Sequence, residues 1–123
     1  MPQATWDRLA KDADTLHLVV GALPAAKAGE RSVRRRDTYR EELMGRLVAA
    51  LRPRGRWALT SVGDASGSEV RVAFNRRSDA ERVAVVVDAR ATGRYEGWAS
   101  QRRFIFDEAT EHKVEKLLGP AAA

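Results

Sequence analysis

The chain has 123 residues, 44% of them hydrophobic and 32% charged, the balance of one globular domain spanning 1–123 with a modest core. It contains no cysteine, which excludes a disulfide scaffold, a thiolate metal site and a cysteine nucleophile. Net charge is +5 from 22 basic and 17 acidic residues, 18 of the basic ones arginine; no apolar run exceeds five residues, so no membrane-spanning helix is expected.

The opening MPQATWD has neither a basic nor an apolar leader region, so a cytoplasmic protein is expected. Trp6, Leu9, Ala13, Leu16, Val20 and Leu23 recur at spacings of three and four, which predicts a helix over 4–23. Thr5 serves as its N-cap and Gly21 and Pro24 mark its end. His17 reads as a residue of that helix rather than a ligand. After the loop ALPAAKAGE, a second helix is predicted from Glu30 to Leu51, with Tyr39, Leu43, Leu47 and Leu51 as its apolar stripe. Both helices are expected to pack together on one face of a sheet.

Three strands are predicted next, at 56–62, 69–74 and 82–89. In EVRVAF, Val70, Val72 and Phe74 share one face and Arg71 takes the other. RVAVVVDA is continuously apolar, as a central strand should be. The segment YEGWASQRRFIF fits a fourth strand or the start of a helix. Asp107 opens the last helix, which Gly119 and Pro120 stop, leaving 119–123 as a loose tail. The expected fold is α+β: two N-terminal helices, an antiparallel meander of three to four strands, and a C-terminal helix.

The charge is uneven. Residues 31–56 hold nine arginines and three acids; residues 71–103 hold eight arginines and four acids. Arg34, Arg35, Arg36 and Arg40 crowd the first half of the second helix, where cations oppose the helix dipole, a cost that hints at a partner. Arginine suits phosphate and stacks on bases, so RNA is the natural candidate, against the alternative of a solvated basic surface.

No P-loop, GxGxxG, HExxH or GxSxG occurs. His17 and His112 stand far apart without cysteine partners, so no metal and no cofactor is expected. Asp107, Glu108, Glu111 and Glu115 read as a helix N-terminus with a solvated face, and Trp57 and Trp98 as core. Arg71 is the most suggestive residue. In a meander it would converge with Arg90, Arg94 and Tyr95 on one concave surface, able to grip a phosphate and stack a base.

The stretch GSEVRVAFNRRSDAERVAVVVDARATGRYEGW, followed by ASQRRFIFDEATEHKVEKLL, resembles the RelE/ParE superfamily of type II toxins, most closely its HigB-like, phage-related branch in actinobacteria. MGRLVAALRPRGRWAL is similar to that family's helix end and first hairpin strand, so the likeness covers about residues 44–118. The resemblance implies a small α+β toxin that binds the ribosome and cuts mRNA without a metal. The substrate's own 2′-hydroxyl would attack the adjacent phosphate. It implies Arg71, Arg90 and Tyr95 as catalytic residues, with Trp98 the other residue at the family's aromatic positions and Arg94 a further basic contact. The charge pattern adds Arg34, Arg35, Arg36, Arg40, Arg76 and Arg77 as RNA contacts, although the 31–40 run has no counterpart in that family. It also implies a cognate helix-turn-helix antitoxin as partner. Where the family's hairpin strand usually reads K-E-L-R, this chain has Ala58-Leu59-Thr60-Ser61, without charge. A ParE-like gyrase poison is the alternative within that fold. Outside it, two helices, a sheet and an FDEA helix loosely resemble phage tail-completion proteins of the neck, which would make the chain a homo-oligomeric assembly subunit.

Overall fold

The computed structural model describes residues 4–11, 16–25, 33–64, 67–92 and 98–119. The order of elements is α1 (Trp6–Ala10), β1 (His17–Leu23), α2 (Val33–Leu51), β2 (Trp57–Asp64), β3 (Gly67–Phe74), α3 (Arg77–Val87), β4 (Arg90–Ala91), β5 (Ser100–Ile105) and α4 (Glu108–Leu118). The class is α+β. The sheet has five strands in the order β2-β3-β1-β5-β4, with β1 parallel to β5 and every other pair antiparallel.

The β2–β3 hairpin, α2 and α4 form where the periodicity predicts them. Asp107 caps α4 by accepting the Thr110 N–H at 2.9 Å. The meander does not form, and two segments explain why.

The predicted 4–23 helix is a five-residue α1 followed by the central strand β1. HLVVGAL is buried on both faces of the sheet, so its apolar residues run on without alternation and satisfy a helical spacing by coincidence. Its Val-Val pair favours extended backbone, and Gly21 is required by its neighbour: a Cβ there would meet the Phe104 ring at 2.5 Å. The N-terminal helices therefore do not pack together. α1 lies on the opposite side of the sheet from α2, with Leu9 against Leu18, Val20, Ala58 and Ala73, while α2 contributes Leu43, Met44, Leu47 and Val48 to the larger core.

The predicted strand 82–89 is instead helix α3. Ala80, Val83, Ala84 and Val87 are buried while Val85 is 78% exposed, so the apolar run divides at the helical period. Asp79, 2% exposed, secures its start: the carboxylate accepts the backbone N–H groups of Arg54 at 3.0 Å and Gly55 at 2.9 Å. Asp88 closes its end in the left-handed conformation, φ 56°, and its N–H bonds back to Ala84 and Val85. With α3 consuming that segment, β5 becomes the parallel partner of β1, and the two-residue β4 is its antiparallel partner among the described residues.

The two faces of this sheet differ. Val19, Val70, Val72, Phe74 and Phe104 point into the core beneath α2, α3 and α4. On the other face, α1 with Trp6 and Trp98 (ring centroids 6.0 Å apart) covers Leu18, Val20, Ala58 and Ala73. Among the described residues the remainder of that face, with Arg71, Arg103 and Ile105, keeps contact with solvent and is its open part.

Candidate nucleic-acid interface

One cross-strand row of the open face reads, from edge to edge, Thr60, Arg71, Val20, Arg103 and Arg90. Side chains at paired positions project to the same side, so the three arginines rise together from β3, β5 and β4. Strand spacing puts Arg71 and Arg103 about 10 Å apart across β1. Arg90 and Arg103 are directly opposite, a like-charge pairing that costs free energy in an empty sheet.

Glu69 partly offsets that charge from the adjoining row. Its carboxylate accepts Arg71 Nε at 3.0 Å and Nη2 at 2.5 Å, and Arg103 Nη2 at 2.8 Å. Burial pushes the Glu69 carboxyl up, but the hydrogen bonds and charges of Arg71 and Arg103 outweigh it and hold the group below the usual glutamate value. One anion thus sits between two guanidiniums whose forks also match phosphate. Both arginines remain open to solvent, at 34% and 42% of the side chain. Arg90 is exposed and has no partner among the described residues.

Arg71 therefore lies where the alternation of EVRVAF places it, and Arg90 shares its face. Arg94 and Tyr95 fall outside the described residues. The helix arginines do not join this surface. Arg34 and Arg35 are exposed on the first turn of α2, in the layer on the far side of the sheet. Arg36 is half-buried there and bonds Asp37 and the Pro24 carbonyl. Arg40 is removed from the expected RNA-contacting set: it is 5% exposed, pairs with Glu111 at 2.9 Å, and donates to the Phe106 carbonyl at 2.6 Å. That geometry ties α2 to α4 and leaves no free donor fork facing water. Arg76 and Arg77 are exposed at the start of α3, with Arg77 paired to Glu81.

Sequence reasoning missed Arg103 and Glu69. The signal for Arg103 was the alternation of Gln101, Arg103 and Ile105 against Phe104 and Phe106, legible once 100–105 is taken as a strand. Glu69 is the first residue of EVRVAF, two before Arg71 on the same face, and nothing local marks it as a bridge to a strand 34 positions away.

One other cluster is structural. Glu111, His112 and Glu115 bring potential ligand atoms within 4.8 Å, yet Glu111 is taken by Arg40 and Glu115 by the Tyr39 hydroxyl. Trp57 is a core residue, as expected, at 4% exposure. Among the described residues no helix is long and apolar enough to cross a membrane. No family model, characterised protein or solved structure matches the chain.

Proposed function

We propose that the protein binds RNA through the open sheet face, with the row Arg71, Arg103 and Arg90 gripping successive phosphates. The observation that supports this is the carboxylate of Glu69 between Arg71 and Arg103: the pair already holds one anion, in a geometry that a phosphate oxygen pair can adopt. The exposed Arg90 extends the same row by one strand. An arginine fixed on a strand of a packed sheet needs little further ordering to meet its ligand, so most of the Coulomb gain is retained.

The specific form of this reading is the one the toxin resemblance implies, a ribosome-dependent mRNA endonuclease. In such a reaction the 2′-hydroxyl oxygen attacks the neighbouring phosphorus and the bond to the 5′-oxygen breaks. The developing charge on the non-bridging oxygens is what Arg71 and Arg103 would stabilise. Ala58, Leu59 and Ser61 of β2 stand where that family's hairpin strand carries charge, so this chain would rely more heavily on the arginines of the other strands.

The test is fluorescence anisotropy with a labelled single-stranded RNA at about 50 mM salt. Arg71→Ala and Arg103→Ala should each weaken binding roughly tenfold, since hydrogen bonds to charged groups contribute about 1.5–3 kcal/mol. Each should also reduce the slope of log affinity against log salt by about 0.7. Binding unchanged in both variants removes the open face from the reading. Inducible expression in a bacterium, with mRNA ends mapped by primer extension, then separates cleavage from binding alone: an Arg71→Ala variant should lose growth inhibition while remaining folded.

A further inference from the structure

On the covered face of the sheet, where β1 and β5 begin, a second polar cluster lies apart from the open-face arginines. His17 and Ser100 are the first residues of those strands and are register partners. Their parity with Val19 and Phe104 turns both side chains to the side on which α3 packs. His17 Nδ1 lies 2.7 Å from Ser100 Oγ. Arg102, two residues along β5, donates from Nη1 to the same Oγ at 3.1 Å. The Arg102 side chain is 12% exposed and reaches Glu81 of α3 at 3.4 Å, and Glu81 also takes Arg77 at 2.9 Å.

A guanidinium only donates, so Arg102 occupies one of the two lone pairs of Oγ and leaves the hydroxyl proton free to point at His17. In the neutral ring with its proton on Nε2, Nδ1 accepts that proton. Burial favours that neutral ring, as do the charges of Arg102 and Arg77, against the opposing charge of Glu81. An imidazole within hydrogen-bond reach of a serine hydroxyl, accepting its proton, is what a nucleophilic serine requires. His17 and Ser100 are both half-buried, so the pair remains within reach of a solute.

We propose that Ser100 is a nucleophile with His17 as its base, in a site that takes phosphate esters. The substrate class follows from charge: Arg77 and Arg102 outnumber Glu81, which leaves a positive corner beside Oγ. In the first step Oγ bonds to phosphorus, its proton passes to Nδ1, and the bond from phosphorus to the leaving oxygen breaks. The leaving oxygen takes the proton from His17. Water then attacks the phosphoserine, giving its proton to His17; the Oγ–P bond breaks and Oγ recovers that proton. Ester plus water becomes alcohol plus phosphate, with both side chains restored. This site does not depend on RNA binding, which uses the other face.

Incubation of the full chain with a fluorophosphonate probe, with the adduct located by mass spectrometry, tests it. The expected result is an adduct on Ser100 that forms at least tenfold more slowly in His17→Gln and is slowed by millimolar inorganic phosphate. The labelling rate should rise with pH through a midpoint below the ordinary histidine value of 6.5, because only the neutral ring accepts the proton. Ser100→Ala must lose the adduct. Absence of an adduct on Ser100 in the folded wild-type protein overturns the proposal, as do equal rates in wild type and His17→Gln. A rate indifferent to phosphate overturns the substrate class. The wild-type protein carries the first readout, so a variant that fails to fold does not protect the proposal.

Discussion

The two faces of β3 place one eight-residue strand in two different solvents. Val70, Val72 and Phe74 are 1%, 0% and 0% exposed beneath three helices. Glu69 and Arg71, between and beside them, look out from the opposite face and stay in contact with water. The covered face is a packing surface, where volume and shape set the energetics. The open face is an electrostatic surface, where charges are screened and contribute little to folding but remain available to a ligand. The lesson is that stability and binding are separable in this chain by residue parity alone.

The largest expected effect follows directly. Phe74→Ala should cost about 3–5 kcal/mol in urea denaturation, the usual penalty for emptying a well-packed aromatic site. Arg71→Ala, three residues away, should cost less than about 1 kcal/mol, because its partner Glu69 keeps Arg103 and neither charge is left buried alone. If the two losses were similar, the open face would be part of the folding core and its arginines would have a structural explanation.

How much of this was legible in the sequence depended on whether a segment faces one environment or two. EVRVAF alternates because β3 has one wet face, so the parity of Arg71 could be read at sight. HLVVGAL does not alternate, because helices cover one side of β1 and α1 with Trp98 covers part of the other, and a helical spacing fitted it equally well. The run VAVVV is rich in β-branched residues and looked like a buried strand. It forms a helix because α3 must place only Val83, Ala84 and Val87 inward, and because the Asp79 carboxylate and the left-handed Asp88 secure its ends. Those are tertiary conditions, invisible in local propensity. The candidate site was half legible for the same reason: Arg71 and Arg90 could be named, whereas Arg103 required knowing that β5 lies beside β1.

A smaller effect sharpens the contrast on β1. Gly21→Ala should destabilise by about 1–3 kcal/mol, since the new methyl group meets the Phe104 ring and that ring is confined against Phe106, 5.5 Å away between centroids. Its neighbour Ala22 faces the open side, and Ala22→Ser should stay within about 0.5 kcal/mol of wild type. A thermal-melt series on these two variants measures the asymmetry without touching any charge.

A small effect on stability concerns Glu69, and it carries the most information about the open face. Its carboxyl is held below the usual glutamate value of 4.5 by Arg71 and Arg103 in spite of its burial. The folded state therefore binds that proton less readily than the unfolded chain does. The stabilisation is fully present above the unfolded value and is lost as pH falls through the lower folded value. Comparing wild type with Glu69→Gln across that acid range should show a gap of about 0.5–1 kcal/mol near neutrality that closes as the carboxylate protonates. Asp107, held low chiefly by the Thr110 N–H, titrates in the same direction, so the difference between the two proteins isolates Glu69 where either curve alone would not. RNA binding at neutral pH should move the opposite way. Without a carboxylate competing for Arg71 and Arg103, Glu69→Gln should bind RNA more tightly by several-fold even as it folds slightly less well. Tighter binding with weaker folding marks Glu69 as an internal stand-in for phosphate. Weaker binding would instead make it part of the RNA contact itself, and the picture of a clamp that exchanges one anion for another would have to be given up.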